Sequence, residues 1–187
     1  MKPLSLFKCT ITSIVFLRVE TGKLIGFIRH THRKGCGTMD FILNFFIIAL
    51  FIFPFITLIH ESGHAFFLKL FGGAINEFTI GMGEAVWKKN RFIVRKAYFA
   101  GGWVIPRNLD LLSKYQKIIY FLGGVIFNLL SALVLDSITG YEFGTFRNYI
   151  DSFIFVSYLN VLINLIPFVS INGRSDGKQI IGVLKDA

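Results

Sequence analysis

The run Phe41 to Ile59, FILNFFIIALFIFPFITLI, leads without a break into His60-Glu61-Ser62-Gly63-His64. Within the run only Asn44 and Thr57 are polar. Nineteen residues rise about 28 Å as a helix, close to the roughly 30 Å hydrocarbon layer of a bilayer. On the same helix His60 and His64 are one turn apart and share a face, with Glu61 beside the first. This His-Glu-x-x-His pattern lets two imidazoles hold one zinc ion while the carboxylate handles a proton. A plainer reading makes these residues the polar cap where an apolar helix meets lipid headgroups. Capping, however, has no need of two His four apart with Glu next to the first. The run therefore predicts a membrane-spanning helix carrying a metal site in or at the edge of the bilayer.

Composition points the same way. Hydrophobic residues make up 53% of the 187 and Phe alone contributes 22. The mean hydropathy is +0.62, well beyond ordinary soluble usage. Ile118 to Leu135 is a second candidate span and Phe153 to Val169 a third. The net charge of +9 comes from Lys and Arg outside these spans, where a multi-pass protein meets anionic lipid. Because the basic residues flank apolar segments, no nucleic-acid partner is expected. Cys9 and Cys36 stand outside the spans without a Cys-x-x-Cys array, which argues against a disulfide scaffold or a structural zinc finger.

Residues 1–40 read as a basic N-terminal extension rich in β structure, and residues 41–187 as a membrane-embedded core. In the extension, Thr10 to Val19 and Leu24 to Ile28 form two β-rich runs around a turn containing Gly22. Ile11 to Leu17 is too short to span, and no small-x-small cleavage site marks a signal peptide. Met39 offers a possible start at the threshold of the first span. Between the first two spans, Glu77 to Ile105 alternates apolar and polar residues, with a turn at Lys88-Lys89-Asn90. It reads as a β-hairpin whose Gly81, Gly83, Gly101 and Gly102 allow bends or close backbone approach, or else as an amphipathic connector. The expected fold is a mostly α membrane protein with about three transmembrane helices and a membrane-associated β-hairpin between the first and second.

A catalytic zinc takes three protein ligands and keeps a fourth position for water. His30 and His32 sit in a basic run and read as solvated residues; Glu77 and Glu84 lie in the hairpin-like segment. The best candidate is Asp176, in Ser175-Asp176-Gly177, beyond a helix-breaking Asn164-Leu165-Ile166-Pro167. On spacing alone Asp176-Gly177 reads better as a surface turn.

Taken together, His60-Glu61-Ser62-Gly63-His64, Asn164-Leu165-Ile166-Pro167 and Asp176-Gly177 resemble the site-2 protease family of intramembrane zinc metalloproteases. Phe99-Ala100-Gly101-Gly102-Trp103-Val104 resembles that family's Gly-Gly-aromatic signature, and Gly124-Val125-Ile126-Phe127-Asn128 its Gly-Pro-x-x-Asn element, with Val125 in place of Pro. The likeness covers roughly residues 41–181. The family's commonest spacing from Asn-x-x-Pro to the ligand Asp falls on Asn172-Gly173. Since Asn is a poor substitute for a carboxylate at zinc, the third ligand is assigned to Asp176 across a longer loop. By the same resemblance Asn164 hydrogen-bonds the substrate backbone.

Polar residues inside the spans share faces: Ser157, Asn160 and Asn164 on the third, Gly124, Asn128 and Ser131 on the second. For Asn128, Ser131, Ser157 and Asn160 the favoured reading is packing between helices. Pro54 is expected to kink the first span. The function expected is that of a zinc metalloendopeptidase of the cell membrane. It would cleave membrane-spanning or precursor peptides within the lipid bilayer, with His60, His64 and Asp176 as ligands of Zn2+ and Glu61 moving the proton. The alternative is a non-proteolytic membrane zinc-binding protein, an interaction or immunity partner with a degenerate protease fold.

Overall fold

The computed structural model describes residues 19–20, 23–24, 38–138, 146–170 and 173–185. The chain divides into two compact units, Met1–Phe45 and Phe46–Ala187. In the first, β1 (Val19–Glu20) pairs antiparallel with β2 (Lys23–Leu24), and α1 (Thr38–Ile47) begins. The remainder of the two β-rich runs, with Cys9, Cys36, His30 and His32, lies outside the described residues.

The second unit opens with a π-helical turn, Ile48–Ile52, leading into α2 (Phe53–Leu70). Pro54 stands in the first turn of α2. It has no N–H to give to the carbonyl four residues back, so the hydrogen-bond ladder shifts there, and the expected disturbance takes the form of the π turn. After α2 the chain turns back through Gly72, at φ 81°, with Gly73 N donating to Leu68 O at 2.9 Å.

Strands β3 (Ile75–Lys89) and β4 (Phe92–Pro106) are antiparallel around Asn90, which has φ 54°. The pair curls over on itself. Phe78, Thr79 and Ile80 pair with Val104, Trp103 and Gly102 on one side and with Phe92, Ile93 and Val94 on the other. The bend falls at Gly81, whose φ of 89° suits glycine and where a Cβ would lie 2.5 Å from Tyr98 Cα. Residues 102–106 are thereby left as an edge strand of the curled sheet.

A capping box at Ser113 and Gln116, with Ser113 N donating to Gln116 Oε1 at 2.9 Å and Gln116 N to Ser113 Oγ at 3.4 Å, starts α3 (Lys114–Ile138). Then follow α4 (Arg147–Leu165), the two-residue strands β5 (Val169–Ser170) and β6 (Gly173–Arg174), and α5 (Asp176–Lys185). Leu68, Ile75, Phe78, Leu112, Tyr120 and Phe121 form a buried core where α2, α3 and the base of the hairpin meet.

The fold is mostly helical with a β-hairpin. Two helical stretches among the described residues are long and apolar enough to cross a membrane, Phe41–Leu70 and Lys114–Ile138. The third expected span is a helix of 19 residues, α4, but its first turns carry an Arg147–Asp151 ion pair at 3.0 Å. It stops at Leu165, where Ile166 turns extended ahead of Pro167. Large apolar side chains face outward along these helices: Phe55, Phe66 and Leu70 on α2, Leu130 and Val134 on α3, Leu159 and Leu162 on α4. Exposed apolar faces of this extent are foreign to soluble monomers.

Candidate active site

Along α2 the polar residues His60, Glu61 and His64 occupy the inward face, and all three are buried. Helix α3 crosses this face at backbone distance. A Cβ on Gly123 would lie 2.6 Å from the carbonyl oxygen of Gly63, and a Cβ on Gly63 would overlap the carbonyl oxygen of Gly123. One residue on, a Cβ on Gly124 would sit 2.5 Å from atoms of the His60 ring. The small residues thus let the imidazole lie flat against the neighbouring helix.

Asp176, the first residue of α5, is buried against the two imidazoles. Its neighbour Gly177 is also pressed on backbone, since a Cβ there would overlap the carbonyl oxygen of Leu165 at the end of α4. Ser175 braces the same junction: its Oγ donates to Ile166 O at 2.7 Å and accepts from Phe168 N at 3.1 Å. The approach of α5 to the end of α4 carries the carboxylate inward.

Potential ligand atoms of three residues converge, all within 4.8 Å of one another. His60 Nε2 and His64 Nε2 are 3.2 Å apart; His60 Nε2 is 3.1 Å from Asp176 Oδ2 and His64 Nε2 is 3.4 Å from Asp176 Oδ1. A tetrahedral cation with ligands at 2.0–2.1 Å separates its donor atoms by roughly 3.3–3.4 Å, so the spacing fits such an ion. His64 Nδ1 lies 2.8 Å from the carbonyl oxygen of Tyr120. A carbonyl only accepts, so Nδ1 carries a proton, and with a metal bound the ring would present its Nε2 lone pair beside Asp176. Asp176 Oδ2 is buried with no well-aligned donor to satisfy it, the state of an oxygen shaped for a cation. Burial alone pushes the Asp176 carboxyl up, but the neighbouring His60 and His64 outweigh it and hold it at about 2. It is an anion throughout the physiological range. Among the described residues these three form the only group of His, Cys, Asp or Glu set to hold a metal.

The residues weighed as other ligands are engaged elsewhere. Glu77 Oε1 accepts from Thr79 Oγ1 at 2.6 Å and from Trp103 Nε1 at 3.1 Å, with Arg95 at 3.8 Å. Glu84 pairs with Lys96 at 2.5 Å. His30, His32 and Asn172 are outside the described residues.

The group opens on a cavity of about 420 Å³ whose wall includes Glu61, Trp103, Asn164 and Arg174. Residues 100–104 of β4 line part of it, with the Val104 backbone close to Glu61. Asn164 also lines the cavity, its Nδ2 donating to Asn160 Oδ1 at 2.7 Å and to Asn160 O at 3.0 Å. The structure thus brings His60, Glu61, His64, Asp176 and Asn164 to one cavity. Asn128, read from sequence as helix packing, is fully buried and does join α3 to α4, its Nδ2 donating to Asn160 Oδ1 at 3.2 Å, but the same Nδ2 also lies 3.3 Å from His60 Nδ1. Its place four residues after Gly124 on one helix face was the available signal. Ser131 donates to the Asn128 carbonyl on its own helix at 2.9 Å.

The profile of Peptidase family M50 matches residues 45–166. The chain belongs to this family, the site-2 proteases. The match takes in His60, Glu61, His64, Asn128 and Asn164 and ends before Asp176. Over 137 residues the M50 chain is 27% identical to "Uncharacterized membrane protein YwmF" of Bacillus subtilis, covering 73% of this chain and 86% of that one. It is 33% identical over 108 residues to "Putative zinc metalloprotease FN1322" of Fusobacterium nucleatum, covering 50% and 32%. A protein of Clostridium acetobutylicum with the same metalloprotease name is 32% identical over 118 residues, covering 54% and 34%. The chain therefore spans about a third of the length of these two metalloprotease relatives.

Proposed function

We propose that this M50 protein is an intramembrane zinc metalloendopeptidase, multi-pass in the cell membrane, acting on membrane-spanning or precursor peptides. The observation that carries the reading is the convergence of His60 Nε2, His64 Nε2 and one Asp176 carboxylate within 3.1–3.4 Å, beside Glu61 and between apolar helices. In this reading α4 crosses the bilayer as a third span with its polar face turned to α3. Its outward Leu159 and Leu162 support that placement.

His60, His64 and Asp176 would hold zinc, which supplies Lewis acidity toward a scissile carbonyl and makes water a nucleophile near neutral pH. Glu61 takes the proton of the attacking water and passes it to the leaving amine. A helical substrate hides its amides, so the cleaved segment must be extended first. The edge strand of β4, beside residues 100–104 in the cavity wall, offers backbone pairing for such a segment. Asn164, which also lines the cavity, binds its backbone.

The test is Glu61→Gln in the full chain, with a co-expressed single-span membrane peptide as substrate. Zinc content should match wild type while cleavage falls by about 10²–10⁴-fold, the usual contribution of a general base. Cleavage at the wild-type rate would refute the assignment.

A further inference from the structure

An Asn with no solvent exposure in the middle of an apolar helix is costly unless its amide is used. Asn128 has 0% exposure. Its Nδ2 lies 3.3 Å from His60 Nδ1 and 3.2 Å from Asn160 Oδ1, and that Oδ1 also accepts from Asn164 Nδ2 at 2.7 Å. Asn128 Oδ1, on the other edge of the amide, is buried without a partner. A row of three amides therefore runs from the cavity wall to the back of one imidazole, and the end nearest the ring has an acceptor to spare.

The two His of the site are braced differently. Behind His64 stands a backbone carbonyl, which admits one tautomer only. Behind His60 stands an amide, which serves either tautomer according to the edge it presents. With Nδ2 toward the ring, His60 accepts at Nδ1 and its proton sits on Nε2, where a cation would need a lone pair. With the amide turned over, Oδ1 takes the proton of Nδ1 and Nε2 is free to ligate. The orphaned oxygen becomes the partner that a ligating His requires behind it. Turning Asn128 over exchanges its bond to Asn160 Oδ1 for one to the ring, while Asn160 Oδ1 keeps the Asn164 Nδ2 donor at 2.7 Å.

We propose that Asn128 is a positioning residue for His60: by presenting its amide oxygen to Nδ1 it fixes the imidazole in the ligating tautomer. The inference rests on the reading of His60 as a metal ligand. Asn128 touches neither substrate nor ion and acts through His60.

The test measures zinc affinity of the detergent-purified full chain by chelator competition. It compares wild type, Asn128→Leu, which fills the space without an acceptor, and Asn128→Asp, which can only accept. Asn128→Leu should bind zinc about 10–100-fold more weakly, the usual effect of losing an outer partner of a ligating His, while Asn128→Asp should stay within threefold of wild type. In ¹⁵N-His spectra of the zinc-loaded wild type and of Asn128→Asp, the proton of His60 should sit on Nδ1. Wild-type affinity in Asn128→Leu, or an equal loss in both variants, would overturn the proposal while leaving the metal site standing. Failure of the wild type itself to bind zinc would instead overturn the metal reading, and this inference with it.

Discussion

His64 is oriented by Tyr120 through its backbone, not its ring: Nδ1 lies 2.8 Å from the Tyr120 carbonyl oxygen, while the phenol donates to Val104 O at 3.3 Å. The two halves of one residue thus serve different ends. Tyr120→Phe removes only the phenol contact. It should leave zinc affinity within about twofold of wild type, and lower stability by about 0.5–1.5 kcal/mol, the net worth of one hydrogen bond. Chelator competition and thermal unfolding in detergent read the two effects separately.

Removing a converging side chain should act on zinc directly. His64→Ala and Asp176→Ala are each expected to weaken zinc binding by more than the roughly 10–100-fold loss typical of an outer partner, and to abolish cleavage. Asp176→Asn keeps the shape but removes the charge that makes the carboxylate a good ligand, so it should fall with the alanine variant. Metal analysis after dialysis against a weak chelator decides.

Gly124→Ala places a methyl 2.5 Å from atoms of the His60 ring. The ring must move, and with it a ligand atom. Zinc affinity should drop at least about tenfold, comparable to losing an outer partner. The effect would be absent if the ring slid aside without leaving the group, which an unchanged affinity would reveal.

Gly63→Ala meets backbone on the facing helix rather than a side chain that can yield. Overpacking of this kind costs about 1–3 kcal/mol, occasionally more. The variant should lose thermal stability in detergent by that order whether zinc is present or not. A loss seen only in the zinc-loaded protein would contradict a helix-crossing role.

Glu77 gathers Thr79, Trp103 and Arg95 on one carboxylate oxygen, with the Arg95 guanidinium 5.2 Å from the Trp103 ring centre. Glu77→Ala takes this acceptor from Thr79 and Trp103, while Arg95 keeps the Gly83 carbonyl at 2.8 Å, and the loss costs about 1–3 kcal/mol. Trp103 lines the cavity, so its fluorescence should shift to the red as the wall loosens, and KM for a peptide substrate should rise more than kcat falls.

The helices could be read from local pattern, because an apolar run of spanning length has few other fates and His60 and His64 share a face by helical period alone. The hairpin was legible in outline from its glycines and alternation. Its curl was not, since pairing of Phe78 with both Phe92 and Val104 depends on contacts between segments that alternation cannot order. The π turn at Ile48–Ile52 was hidden inside a uniform apolar stretch, with Pro54 as the sole hint. Asp176 lies far from His64 in sequence, and only the packing of α5 on the end of α4 brings it close. Asn128 was the hardest to read: an amide on an apolar helix has the same spelling whether it joins two helices or backs an imidazole.

Four glycines, Gly63 against Gly123, Gly124 against His60 and Gly177 against Leu165, set main chain or ring directly on main chain around His60, His64 and Asp176. A joint made of backbone has no flexible layer to compress or swell. The helices that carry His60, His64 and Asp176 are therefore spaced by main-chain contact, so lipid pressure on their outer faces has little leverage on how far apart the three residues stand.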